Sequence, residues 1–197
     1  MEDLIKYPNE ERHLEFKRSV AWNGDITAKI TKSIMALANL RDGGWIVIGK
    51  EEQSDRSFKA VGMTQDDYDS FDPDCLKAFV YERAEPPVNF EVFKEEYDNK
   101  KFVLIRVKEF DEIPIICKKS YKDVIHAGKV YVRSKSKPES IPVPSDAEMR
   151  EIIEIAVDKG ITSFVKRLNR TGVWAPNEQI QRTDDEEEFK KQLADLS

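Results

Sequence analysis

Between residues 118 and 137 the chain carries Lys118, Lys119, Lys122, Lys129, Arg133, Lys135 and Lys137, with Asp123 as the one acid among them. Ammonium and guanidinium groups at this density attract a polyanion, because local potential rather than total charge governs the approach of a charged partner. Tyr121 and Tyr131 lie among these bases, and aromatic rings beside cations can combine phosphate contact with stacking on an unpaired base. Lys17, Arg18 and Lys32 add positive charge earlier in the chain. The competing reading is a solvated hairpin surface, the usual fate of a charge run.

A second pattern, Gly44-Trp45-Ile46-Val47-Ile48-Gly49-Lys50, has the glycine and lysine spacing of a phosphate-binding loop. Such a loop needs a flexible turn whose amides wrap phosphate, and then Ser or Thr to hold magnesium. Here the interior is stiff and Glu51 follows the lysine, so the glycines are read as bounding a buried strand and no ATP site is expected. Cys75 and Cys117 are far apart, and His13 and His126 are the only further soft ligands. That set supports neither a disulfide framework nor a zinc site.

With 197 residues, 40% hydrophobic and 36% charged, the chain can bury one core under a heavily charged surface. We expect one domain over residues 1–170 and a short acidic tail over 171–197. The tail holds 7 acids and 3 bases, so it supplies -4 of the net charge of -6 and leaves the body near neutral. No apolar run approaches the ~20 residues that cross a bilayer, and the start, MEDLIKYPNEER, lacks the basic and apolar regions of a signal peptide. The expectation is a cytoplasmic protein without membrane association.

Ile26, Ile30, Ile34, Leu37 and Ala38 recur at helical spacing over residues 26–40, with Asp25 as the expected N-cap and Gly43 past the end. Trp45 to Ile48 is a continuous run of the kind found in a strand buried on both faces. Asp72-Pro73 predicts the cap and first-turn proline of a helix that stops before Pro86-Pro87. Asp98-Asn99 predicts a hairpin turn within residues 89–107, and further strands are expected at 114–118 and 129–133. Ser145 and Glu148 have capping-box spacing before Met149, Ile152, Ile153, Ala156 and Val157, with Gly160 expected to break that helix and residues 161–168 to resume it. The fold class predicted is α+β, a mixed and largely antiparallel sheet flanked by helices.

Taken together, several segments resemble one family. Glu10 and Glu15 in the pattern E-x-x-x-x-E-F-K, Ala36-Leu37-Ala38-Asn39, and Gly43-Gly44 leading into Ile46-Val47-Ile48-Gly49 are similar to the Schlafen AlbA_2 family. Glu85-Pro86-Pro87-Val88, the Phe102 to Val107 strand, Ile113-Pro114 and the run Gly128 to Ser134 resemble the rest of its pattern in consistent order. One residue is inserted between Asn39 and the glycine pair, and the zinc site of the eukaryotic relatives has no counterpart in this cysteine-poor chain.

The resemblance implies a single-lobe nucleic-acid-binding domain of prokaryotic or phage type, which contacts backbone phosphates of RNA or DNA. Some members are metal-dependent endoribonucleases acting on structured RNA such as tRNA, through two glutamates and an aspartate. Carried over by position, the two glutamates fall on Glu10 and Glu15 and the third acid near Glu51-Glu52, where this chain has glutamate in place of aspartate; with Glu52 chosen, Glu10, Glu15 and Glu52 would hold Mg²⁺ or Mn²⁺ if the chain cleaves. Without the resemblance Glu10, Glu11, Glu51 and Glu52 read as solvated surface. Lys17, Lys118, Lys119, Lys122, Tyr131, Arg133, Lys135 and Lys137 are the expected nucleic-acid contacts. Because eukaryotic relatives pair two lobes in one chain, a homodimer is the expected equivalent. The alternative is a non-catalytic DNA-binding regulatory module, or an interaction module whose acidic tail recruits a protein partner.

Overall fold

The chain opens with a short helix, α1 (Glu2–Lys6), and then a tight turn in which the backbones of Glu11 and Leu14 bond reciprocally at 3.0 and 3.1 Å. The turn delivers strand β1 (Leu14–Lys17). A computed structural model describes residues 1–172. Helix α2 (Gly24–Ala38) is capped by Asn23, whose side-chain oxygen accepts from the amides of Asp25 and Ile26 at 3.0 and 3.1 Å. Asp25 was the expected cap; Asn23 takes the role because its extended backbone aims the side chain at the free amides of the first turn. Gly43 follows the helix at φ +69, where a Cβ would meet the Val107 carbonyl, so the turn into β2 (Gly44–Ile48) demands glycine.

Next come β3 (Lys50–Glu52), β4 (Phe58–Ala60), α3 (Gln65–Ser70) and α4 (Pro73–Arg83). Asp72 caps α4 as predicted, accepting from the amides of Asp74 and Cys75 at 2.9 and 3.2 Å. After β5 (Ala84–Glu85), strands β6 (Phe90–Tyr97) and β7 (Lys100–Val107) form the predicted hairpin, with Asp98 and Asn99 both left-handed at φ 52 and 54. The described chain ends with β8 (Ile116–Cys117), β9 (Tyr131–Arg133), β10 (Ser140–Pro142) and α5 (Asp146–Thr171).

The main sheet has order β1-β2-β7-β6; β1 and β2 run parallel and the other two pairings are antiparallel. This is the mixed, largely antiparallel sheet the sequence predicted. Its faces alternate along β2. Ile46 and Ile48 join α2, Val103, Ile105 and Val107 in the larger core, whereas Val47 joins Leu14, Phe16, Phe102, Leu104 and Ile5 of α1 on the other side. A strand covered on both faces needs no polar alternation, which explains the unbroken apolar run. The ribbon β9-β10 packs over α2, and Asn39 fastens it, its amide donating to the carbonyls of Ile115 and Tyr131 at 2.9 and 3.0 Å.

Lys50, the lysine of the rejected phosphate loop, is 1% exposed. Its ammonium donates to the carbonyls of Ile5 and Tyr7 and lies 4.1 Å from the Phe16 ring centroid, so it binds the N-terminal segment to the sheet instead of a phosphate. Burial pushes its pKa down from 10.5 to about 8. Between those values the folded state binds fewer protons than the unfolded state, so stability should rise with pH across that window. Denaturant unfolding from pH 7 to 11 should show this rise, and Lys50→Met should flatten it.

The chain falls into two compact units, Met1–Lys159 and Gly160–Ser197, the second described over residues 160–172. Helix α5 runs from Asp146 to Thr171 without the break expected at Gly160. One interior glycine costs about 1 kcal/mol relative to alanine, too little to interrupt a helix that propagates cooperatively. The acidic tail expected over 171–197 lies, from residue 173 onward, outside the described residues. Among the described residues no helix is long and apolar enough to cross a membrane.

Candidate nucleic-acid interface

The turn between Glu11 and Leu14 brings the two N-terminal glutamates close to each other without a helix. Glu10 accepts from the Phe16 amide at 2.6 Å, and partial burial raises its pKa although that hydrogen bond opposes the shift. Glu15, on β1, is 3% exposed with both oxygens engaged. Oε1 accepts from Ser33 of α2 at 2.8 Å and pairs with Lys17, while Oε2 meets Arg133 of β9 at 2.9 Å and Ser140 of β10 at 3.4 Å. Burial pushes this carboxyl up, but Lys17 and Arg133 outweigh burial and hold it below the usual carboxylate range.

The predicted basic hairpin surface is dispersed by the fold. Arg133 is 1% exposed and serves Glu15, so it offers nothing to a strand outside; a charge so deeply buried persists only with a paired acid. Tyr131 is also 1% exposed, its hydroxyl accepting from the His126 amide at 2.8 Å, and it presents no stacking face. Tyr121 packs edge-on against Phe79 with Arg83 beside it. The lysines are exposed but engaged with acids on separate elements: Lys118 with Glu85 at 2.9 Å, Lys119 with Glu82, Lys122 with Asp25, and Lys135 with Glu151 at 3.0 Å. Glu151 also receives Arg12 at 2.7 and 2.9 Å, and these cations hold it down at about 2. Lys137 is exposed on the segment joining β9 to β10.

Positive charge does gather elsewhere. A cleft of about 260 Å³ is lined by Lys17, Lys29, Lys32, Ser33, Glu139 and Ser140, with Glu15 at its base. Lys29, Lys32 and Ser33 stand at i, i+3 and i+4 on α2, so one helix face delivers all three. Partial burial lowers the Lys32 pKa, and Lys17 and Lys29 press it further down while Glu15 and Glu139 oppose them. Arg18, Lys29 and Lys32 have no carboxylate within ion-pair distance among the described residues. Lys17 was foreseen here and Lys32 counted as nearby charge; Lys29 was missed, although its spacing with Lys32 and Ser33 was legible. Nothing in the sequence flagged Ser140.

The family model described as Schlafen, AlbA_2 matches residues 10–142, which contain the carboxylates, the ribbon and the whole cationic cleft. The chain belongs to the Schlafen AlbA_2 family. No curated protein matches it. Among solved structures it is similar to the DIP2311 protein from Corynebacterium diphtheriae, with TM-score 0.49 and 16% identity over 71% of this chain; it spans 23% of that protein. It is also similar to the N-terminal domain of a RecG-related protein from Nitrosomonas europaea, with TM-score 0.44 and 20% identity over 64% of this chain and 85% of that one.

For an AlbA_2 domain, the carboxylates pose the question of a divalent cation. Among the described residues no group of three or more His, Cys, Asp or Glu side chains is gathered as a metal site. Glu15 is committed to Arg133, Lys17 and two hydroxyls, and Glu10 to a backbone amide. Glu52 stands exposed on β3, in register with Phe58 of β4. As placed, Glu10, Glu15 and Glu52 do not fit a magnesium or manganese centre, whose geometry tolerates little displacement of its ligands.

Proposed function

We propose that this AlbA_2 domain binds RNA or DNA through backbone phosphates seated in the cleft of Lys17, Lys29 and Lys32, with Arg18 beside it. The observation that carries the reading is the contrast in charge compensation. Lysines 118, 119, 122 and 135 each have an acid at ion-pair distance, whereas Lys29 and Lys32 in the cleft, and Arg18 beside Lys17 and Lys29, have none at that distance among the described residues. A phosphate relieves the repulsion of Lys32 by Lys17 and Lys29 and accepts from ammonium groups and from Ser33 or Ser140. Anisotropy titrations with labelled single-stranded RNA and DNA over rising salt test it. Affinity should fall with a logarithmic slope of about -3, as four cations on a single strand require; a flat salt dependence rejects the cleft.

The pattern of α5 supports self-association as well. Met149, Ile153 and Val157 are exposed in the first unit, and Ile161 and Phe164 in the second. Two copies packed about a two-fold axis through the first-unit part of α5 would cover Met149, Ile153 and Val157 of each, giving a symmetric homodimer. Ile153→Glu with Val157→Glu should raise the dimer dissociation constant at least about a hundredfold, since each substitution acts twice in a symmetric pair. Analytical ultracentrifugation reads the result, and an unchanged sedimentation profile rejects the interface.

A further inference from the structure

We propose that a second cavity, adjoining the phosphate cleft, receives one unpaired nucleobase of the bound strand; the inference rests on the phosphate reading above. This cavity, about 300 Å³, lies at the small end of ligand pockets, which matches one base and not a larger cofactor. Its inner wall is apolar, with Ile48 and Phe71 each 2% exposed. Trp22 forms the side, half-buried, and Lys17, Arg18 and Lys29 supply its charge. Lys17 and Lys29 line both cavities. A phosphate held by those lysines therefore has its own sugar and base within reach of the apolar pocket.

The division of chemistry is that of a nucleotide, an anionic group joined by one sugar to a flat, weakly polar ring. Trp22 is set for such a ring before it arrives. Its indole meets Phe71 edge-on at 4.5 Å, and its backbone amide donates to Ser70 Oγ at 2.9 Å. A pre-ordered aromatic loses little entropy when it stacks on a base. The polar side-chain groups lining the cavity are ammonium, guanidinium and indole N–H, all donors. With donors and only the weak thioether acceptor of Met63, the pocket should favour a base edge rich in acceptors. It also requires a base free of its partner, because bases in a duplex are stacked and paired away from such a pocket.

Affinity of the full chain should be compared for a short single-stranded oligonucleotide and an abasic sugar-phosphate strand of the same length. The wild type should prefer the base-bearing strand about tenfold, within the roughly 5- to 150-fold range of one base–aromatic stack. Trp22→Ala should remove that preference while leaving the abasic strand unaffected, and Trp22→Phe should keep most of it. Lys29→Gln should weaken both strands alike. Equal wild-type affinity for the two strands overturns the base pocket and leaves the phosphate cleft standing. Failure to bind either strand overturns the cleft and the pocket with it. Should Trp22→Ala fail to fold, the wild-type comparison and Trp22→Phe still decide.

Discussion

Neutralising Lys29 and Lys32 together, as Lys29→Gln and Lys32→Gln, is expected to lower affinity for single-stranded nucleic acid about a hundredfold or more near physiological salt. Two charge-assisted contacts are lost, each contributing roughly 1.5 to 3 kcal/mol. The salt slope should shrink by about 1.4, the share of two cations on a single strand. Neutral replacements are chosen because Glu15 and Glu139 face Lys32, and reversing its sign would set like charges against a buried carboxylate. The fold should survive, since neither lysine has an ion-pair partner among the described residues and removing one relieves the other. The comparison is Lys118→Gln with Lys119→Gln. Those ammonium groups already have Glu85 and Glu82 beside them, so their loss should change affinity less than threefold, a small effect on the scale of surface pairs. If that variant loses binding and the α2 variant keeps it, the interface is the ribbon and not the cleft.

The difference between those two surfaces is also where local sequence reading stops. Asp72-Pro73, Asp98-Asn99 and the run Trp45 to Ile48 were legible because each is a local event, a cap, a turn and a doubly covered strand, decided within a few residues. The cap at Asn23 was missed by two positions, because Asn23 and Asp25 both satisfy the same local rule. Arg133 was misplaced for a different reason. A charge in a basic run reads as solvated, and the acid that buries it lies 118 residues earlier in the chain. Residue 133 also shares a short strand with Tyr131, where alternation turns both toward the same face. Lys29 and Lys32 carried a readable signal in their helical spacing with Ser33. Yet spacing alone does not say which cations find acids, and that depends on tertiary neighbours such as Glu82 and Glu85.

Separating Glu15 from Arg133 is expected to be the most destabilising change in the described chain. Their side chains are 4% and 1% exposed, and the pair ties β1 of the main sheet to the β9-β10 ribbon. Glu15→Leu leaves a buried guanidinium without its carboxylate; Arg133→Met leaves a buried carboxylate with only Lys17 and two hydroxyls. Each should cost about 3 to 5 kcal/mol in denaturant unfolding. The double variant Glu15→Leu with Arg133→Met should recover most of that loss, because apolar side chains of similar volume need no compensation for desolvation. The acid limb gives a second reading. Glu15 is held below its ordinary pKa, so its contribution is present above the unfolded value of about 4.3 and is lost as pH falls through the folded one. Arg133→Met removes one of the two cations opposing burial, so the folded pKa should climb and this limb should shrink or reverse. Additive single and double variants would mean that the pair does not couple the ribbon to the sheet. The same energetics govern how a Glu15→Ala variant is read in an assay of tRNA cleavage with Mn²⁺. Lost activity assigns chemistry to this carboxylate only if the melting transition of the variant is retained, since a side chain that joins β1, α2 and the ribbon inactivates the protein simply by loosening it.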